Sequence, residues 1–398
     1  MRKITVAAAM LAALVLPARA DNSKVLIDSA KNIVVGEWKV TSAEWGGGAK
    51  WSVQMRTLHG GQQEGVQVIE VDNGAVRFTI VPTRGFEVWR ANVGGLRLGW
   101  DSPVKEIRHP SLVNLAENGG RGWVTGFGGW MVRAGISSFG EPGPDGNVIL
   151  TQHGRIDYIP AHFASVRYDS GRLVIRGIVD DTRVFGSQLR LTTDISVAIG
   201  KPDITFDDSI TNLSDTPQEM QVLYHINFGT PLMGRGAEFV APVKEVAPIN
   251  AASAANGLKD WNRYEGPHMG DYAAQVFLLK LAADGKGDTA AMLKSPDGTQ
   301  AALLKFNIRG LPVMSLWKNE TSPKGGYVTG LEPGTSYPNH RSVERKQGRV
   351  PLLKPGESWR IHLTATGLTS KAQVDEAAAM ISKLAPQNPT IRKTPLAP

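Results

Sequence analysis

The chain has 398 residues, a formal charge of +7, 44 glycines, 24 prolines and no cysteine. Without cysteine, disulfides, thiolate metal sites and cysteine nucleophiles are excluded, and with no cluster of Lys and Arg there is no nucleic-acid footprint. The glycine and proline content favours short strands joined by turns over long helices, in one large β domain or two ordinary ones.

At the N-terminus, Arg2 and Lys3 precede an apolar run from Ile4 to Pro17, and Ala18-Arg19-Ala20 offers small residues where a signal peptidase reads. The pattern predicts a signal peptide over 1–20, cut after Ala20, and hence a periplasmic or secreted protein. The run is shorter than the roughly 20 residues that span a bilayer, and no later stretch is long and apolar enough to cross one. Cleavage removes Arg2, Lys3 and Arg19 and no acid, leaving +4. An exported chain without disulfides must be held by its core alone.

Residues 21–60 read as an N-terminal extension or a strand pair capping the main sheets. Beyond them, segments of β character recur between Gly, Pro, Asn and Asp. They are Val66–Val71, Val76–Val81, Arg172–Ile178, Gln188–Val197, Ile204–Thr211, Glu219–Phe228, Ala301–Asn307 and Trp359–Thr366. This spacing predicts an all-β protein, one large antiparallel β-sandwich over 61–368. Residues 250–272 are poor in β pattern and read as a long loop. Only Lys371 to Leu384 reads as a helix, with Val374, Ala377, Ala378, Ile381 and Leu384 at helical spacing. The tail from 385 to 398 carries four prolines and is expected to be mobile.

Four segments place polar groups where a purely structural strand would not. In Met220–Phe228 the alternation of a strand puts Met220, Val222, Tyr224, Ile226 and Phe228 on one face and His225 and Asn227 on the other. A histidine beside an amide suits sugar hydroxyls, which need donors and acceptors; the plainer reading is a solvent-facing pair. In Val148–Tyr158, Thr151, His153 and Arg155 share a face if the segment is extended, and Gly154 would let a ligand approach the backbone. Glu332, between Gly330-Leu331 and Pro333, is expected at a strand end facing a cleft, where partial desolvation would raise its pKa and make it a base. Arg84, in Val81-Pro82-Thr83-Arg84-Gly85, could clamp a hydroxyl or carboxylate or simply make an ion pair. Trp317 and Lys318 add a stacking face and a cation. Trp45, Trp100, Trp123 and Trp130 lie near glycines and suit carbohydrate stacking or core packing.

The Gly-rich run from Glu117 to Gly122, continuing to Gly128-Gly129, lacks the Gly-Lys-Ser/Thr ending of a phosphate loop and reads as a tight turn near the cleft. His-x-x-x-His spacing is missing, so no metal ligand and no cofactor is assigned.

In order, Val-Pro-Thr-Arg84-Gly, Gln-His153-Gly-Arg155, Leu-Tyr-His225-Ile-Asn227-Phe-Gly, Leu-Trp317-Lys318 and Gly-Leu-Glu332-Pro resemble the aldose 1-epimerase (galactose mutarotase) superfamily. The likeness spans about residues 65 to 368 and is nearest a bacterial branch described only as a domain of unknown function. It implies the large mutarotase supersandwich and a sugar substrate. In mutarotases a glutamate takes the anomeric hydroxyl proton while a histidine protonates the ring oxygen, opening the ring so that either anomer can reclose. Carried over, Glu332 matches the base, His225 the acid, His153 the other substrate-binding histidine and Arg84 the arginine near the sugar. Arg155, Asn227, Trp317, Lys318 and His340 complete the expected binding set. The pattern departs where Glu332 is followed by Pro-Gly-Thr-Ser-Tyr-Pro-Asn-His340, and where the mutarotase aspartate has no clear counterpart beyond Asp271.

Two other readings keep the same cleft. In one, Arg155 and Lys318 neutralise a uronate or an enolate for a lyase or hydrolase, with His153, His225 and Glu332 as a conceivable divalent-metal set. In the other, the aromatic cleft only binds carbohydrate.

Overall fold

The structure is a computed structural model, which describes residues 22–396. The expected signal peptide lies outside the described residues. Alternating apolar residues make the backbone a sandwich of two large sheets. One sheet has ten strands, with Arg172–Thr182, Gln188–Ala198, Asp203–Asn212 and Ser358–Leu368 side by side near its middle. These strands alternate: Leu173, Ile175, Leu189, Leu191, Ile204 and Phe206 point into the core, while Arg176–Asp194 and Arg190–Asp180 pair across the outer face.

The other sheet has thirteen strands, and its centre runs Gln275–Leu281, Val313–Asn319, Val328–Gly334, Gln221–Phe228, Met131–Ile136. Here every residue of Met131–Ile136, Gln221–Phe228 and Val328–Gly334 is buried. One face packs on the ten-stranded sheet and loops cover the other, so polar residues on the covered face are enclosed rather than washed by solvent. Between the sheets Arg133 of one is bonded to Asp208 and Thr193 of the other, and Tyr224 Oη donates to Asp208 at 2.5 Å.

Several expectations change. Residues 22–60 are built into both large sheets. Ser23–Asp28 joins the ten-stranded sheet beside Phe163–Asp169, and Trp38–Thr41 with Ser52–Thr57 extends the edge of the thirteen-stranded one. The helix Lys371–Leu384 forms as read, burying Val374, Ala377 and Ile381. Within the described part of the tail, Thr390–Ile391 pairs in parallel with Glu245 and Val246, and Leu396 packs beside Leu278. The long loop contains a short helix, Ala251–Gly257, capped by Asn250. Among the described residues no helix is long and apolar enough to cross a membrane.

Candidate active site

Strand register assembles the centre of the site. Ile226 stands opposite Leu331, Asn227 opposite Gly330, and Gly330 opposite Trp317. The same register puts His225 across from Glu332, which in turn faces Ser315. Alternate residues of three adjacent strands thus present His225, Glu332 and Trp317 to one face. Glu332 therefore sits within the Val328–Gly334 strand and not at its end.

Gly330 has a specific role in this row. A Cβ at Gly330 would lie 2.3 Å from Glu332 Oε1, so the carboxyl occupies space that any larger residue would fill. From there Glu332 Oε1 reaches to 3.2 Å from His225 Nε2. Both side chains are buried, and together they form part of the wall of a cavity of about 200 Å³.

The imidazole of His225 is fixed from behind. Its Nδ1 is 2.7 Å from Asn227 Oδ1, while Asn227 Nδ2 donates to the carbonyls of Gly129 and His225. Only an amide NH₂ can serve two carbonyls, so Oδ1 faces the ring and Nδ1 carries the proton. Nε2 then presents its lone pair toward Glu332 Oε1, which has no hydrogen-bond partner among the described residues. Asn227 has its hydrogen-bonding groups committed in this way and orients His225, in place of the expected contact with sugar.

Burial sets the proton inventory. Glu332 is pushed up to about 8 by desolvation alone. His225 is held well below the usual imidazole range, first by burial and then by His153, with Asn227 opposing. His153 is pushed down to about 4 by burial, against the pull of the Phe139 carbonyl. At neutral pH the site therefore holds a neutral carboxylic acid and two neutral imidazoles.

His153 arrives by a different route from the one expected. Residues 151–155 form a turn, not a strand, and His153 takes a left-handed φ of 57°. Its Nδ1 lies 3.2 Å from the Phe139 carbonyl, and its ring stands edge-on to Trp123 and to His225, 4.5 and 5.3 Å between centroids. Gly154 is pressed against backbone, since a Cβ there would meet Ser138 O at 2.2 Å; it admits a chain crossing, not a ligand. The Gly-rich turn delivers Trp123 and Phe127 to the cavity, where Trp317 forms part of the wall. Sequence reading passed over Phe139, Glu141 and Gln152, which also line the cavity; only the adjacency of Gln152 to His153 hinted at one of them.

Five expected residues are elsewhere. Arg84 is wholly buried, 3.1 Å from Glu87 and 2.9 Å from Asp157, and donates to the Gly126 carbonyl at 2.8 Å. It braces the loop leading to Phe127 without touching the cavity. One guanidinium cannot neutralise two buried carboxylates, and Glu87 is raised well above the usual range by burial and by Asp157, with Arg84 opposing. Lys318 points away from the cleft and ties the 258–272 segment down, donating to the carbonyls of Arg263 and Asp260 beside Glu320. Asp271 is exposed and lines a hollow on the Lys318 side. His340 caps the short helix Arg341–Lys346 through Ser342, and Arg155 lines a separate cavity. The cations suggested for a uronate or enolate, Arg155 and Lys318, are therefore not in the cleft. Among the described residues no three His, Asp or Glu side chains are arranged to share a metal ion.

The two-sheet architecture is that of the galactose mutarotase-like proteins. The chain belongs to the family described as a domain of unknown function, DUF4432, which it matches over residues 63–366. A protein of Klebsiella pneumoniae, provisionally named an aldose 1-epimerase, is 36% identical with a TM-score of 0.91, over 94% of this chain and 99% of its own. A galactose 1-epimerase of Lactobacillus acidophilus shares the fold at 14% identity and a TM-score of 0.54, over 80% of this chain and 99% of its own. So does a galactose mutarotase-like protein of Clostridium acetobutylicum, at 14% and 0.55, over 84% and 99%. No curated protein matches the chain in sequence.

Proposed function

We propose that this protein interconverts the anomers of a free sugar by proton transfer between Glu332, His225 and the anomeric centre. The observation that carries the reading is the 3.2 Å approach of Glu332 Oε1 to His225 Nε2 in the cavity wall. In a pyranose the ring oxygen and the anomeric hydroxyl are bonded to one carbon. An acid and a base serving those two oxygens must therefore lie a few ångströms apart, as these groups do.

The pair holds one proton. With that proton on His225, Glu332 is the carboxylate that takes the anomeric hydroxyl proton, and the imidazolium gives its own to the ring oxygen. The C1–ring oxygen bond breaks and the aldehyde forms. Rotation about C1–C2 and reversal of both transfers close the ring as either anomer, and the pair returns to its starting state. Moving the resting proton from Glu332 to His225 creates a buried ion pair, which the sugar hydroxyls can stabilise as they enter. Trp123, Phe127 and Trp317 supply apolar faces for the C–H side of a sugar ring.

The test is Glu332→Gln followed by NMR exchange spectroscopy on a panel of aldoses. The expected result is a loss of roughly 10²–10⁴-fold in exchange rate, with sugar-induced thermal stabilisation retained. Undiminished exchange in this variant would overturn the proposal. Secretion, predicted from residues 1–20, is proposed with it, and N-terminal sequencing of the exported protein tests the cut after Ala20.

A further inference from the structure

On the far side of the His153 turn lies a second cavity, of about 320 Å³. Gly154 borders it while His153 borders the first, so the two stand back to back. Arg155 and Arg183 both line this second cavity, with Ser138 and Thr151 beside them. Arg155 Nη1 is 3.8 Å and Arg183 Nε 4.0 Å from Asp181 Oδ1, too long for hydrogen bonds. Asp181 is fully buried, and its other oxygen accepts from Ser137 at 3.2 Å. Among the described residues neither guanidinium donates a hydrogen bond.

One carboxylate therefore faces two cations whose fixed arrays of N–H donors are unused. The next arginine, Arg341, is engaged with Asp145 and the Ser137 carbonyl. The crowding is felt at Arg183, which is held below its ordinary value by partial burial, then by Arg155 and Arg341, with Asp181 opposing. We propose that Arg155 and Arg183 form a binding site for an oxyanion, a carboxylate, phosphate or sulfate group, distinct from the sugar cleft. Asp181 anchors the two side chains from beneath without satisfying them. An oxyanion on the open side supplies the missing acceptors and cancels the surplus positive charge, in the bidentate geometry that guanidinium favours.

Isothermal titration and thermal shift with sodium phosphate and sodium sulfate, against sodium chloride at equal ionic strength, test the site. Saturable binding is expected, weakened roughly tenfold in Arg155→Gln and in Arg183→Gln and unchanged in Glu332→Gln. Non-saturable stabilisation, or equal binding in wild type and both arginine variants, overturns it. Crystals soaked in selenate give a reading that needs no variant: an anomalous peak bridging the two guanidinia supports the site, and its absence there counts against it. Repeating the titration with a uronic acid and a sugar sulfate identifies the source. Tighter binding than the inorganic ion assigns the anion to a saccharide substituent, and equal binding assigns it to the free ion.

Discussion

Asn227 Oδ1 holds the Nδ1 proton of His225 at 2.7 Å, and the amide nitrogen is pinned by the carbonyls of Gly129 and of His225 itself. This bond decides which imidazole nitrogen faces Glu332. Removing it in Asn227→Ala frees the ring to adopt the other tautomer, so kcat for anomer exchange should fall roughly 10²-fold with little change in KM. Asn227→Asp keeps an acceptor and adds a negative charge, which raises the imidazole pKa. Its acid limb in a kcat/KM profile should move to higher pH, an effect that a merely structural amide would not produce.

The pH–rate profile of the wild type follows from the shared proton. Above about pH 8 Glu332 ionises while His225 stays neutral, the pair is left without a proton, and kcat/KM should decline. On the acid side a second proton must be added to imidazoles held below their usual range, His153 to about 4. A plateau through neutrality is therefore expected, with its acid limb below the ordinary imidazole range of about 6.5. An acid limb at or above that range would contradict the buried, neutral imidazoles. As limbs of a coupled pair, these belong to the dyad and not to single residues.

Stability offers a check that does not require knowing the sugar. Glu332 titrates near 4.5 when unfolded and near 8 when folded, so the folded state retains the proton longer. Its contribution is fully present below about pH 4.5 and is lost as pH rises to about 8. His153 changes in the opposite sense, between about 4 and 6.5, but it is common to wild type and Glu332→Gln and cancels in their difference. The variant should gain on the wild type progressively from pH 4.5 to 8, by on the order of 3–5 kcal/mol in all. Parallel denaturation curves at every pH would contradict the buried, protonated carboxyl.

Gly330→Ala tests the geometry of the row directly. The added methyl would lie 2.3 Å from Glu332 Oε1, so the carboxyl must swing away from His225. Anomer exchange should fall by at least tenfold, with a stability cost of about 1–3 kcal/mol by urea denaturation. Retention of full activity would mean that the 3.2 Å approach is not needed.

The buried arginine predicts an asymmetry between its two acids. Burial raises both acids, Glu87 the further of the two, so Glu87→Gln replaces the acid that keeps its proton with a neutral amide and should cost less than about 1 kcal/mol at pH 7. Arg84→Met leaves Asp157 and Glu87 buried together without a cation and should cost about 3–5 kcal/mol.

Much of the sandwich was legible because strand periodicity is local. Val76–Val81 and Ala301–Asn307 coincide with strands of the structure, and Lys371–Leu384 with its helix. Alternation over residues 220–228 also separated the core face from the face bearing His225 and Asn227. What alternation could not tell is which polar side chains on a covered face look into the cavity and which are spent on their neighbours. Alternation alone therefore points Asn227 and Lys318 at a sugar, although both are tied to backbone carbonyls. The same limit applied to Arg84, whose partner Asp157 is distant in sequence. It applied again at His153, where a left-handed residue in a turn broke the strand periodicity on which the reading rested.

By itself the sequence determined a disulfide-free, all-β chain and the residue types available for acid–base chemistry, because composition and side-chain period are properties of short stretches. Only the tertiary structure decided that Glu332 and His225 meet and that Arg155 stands on the other side of the wall. It also decided that burial leaves the proton on Glu332. Register between strands a hundred residues apart, and the desolvation it imposes, are properties of the packed whole.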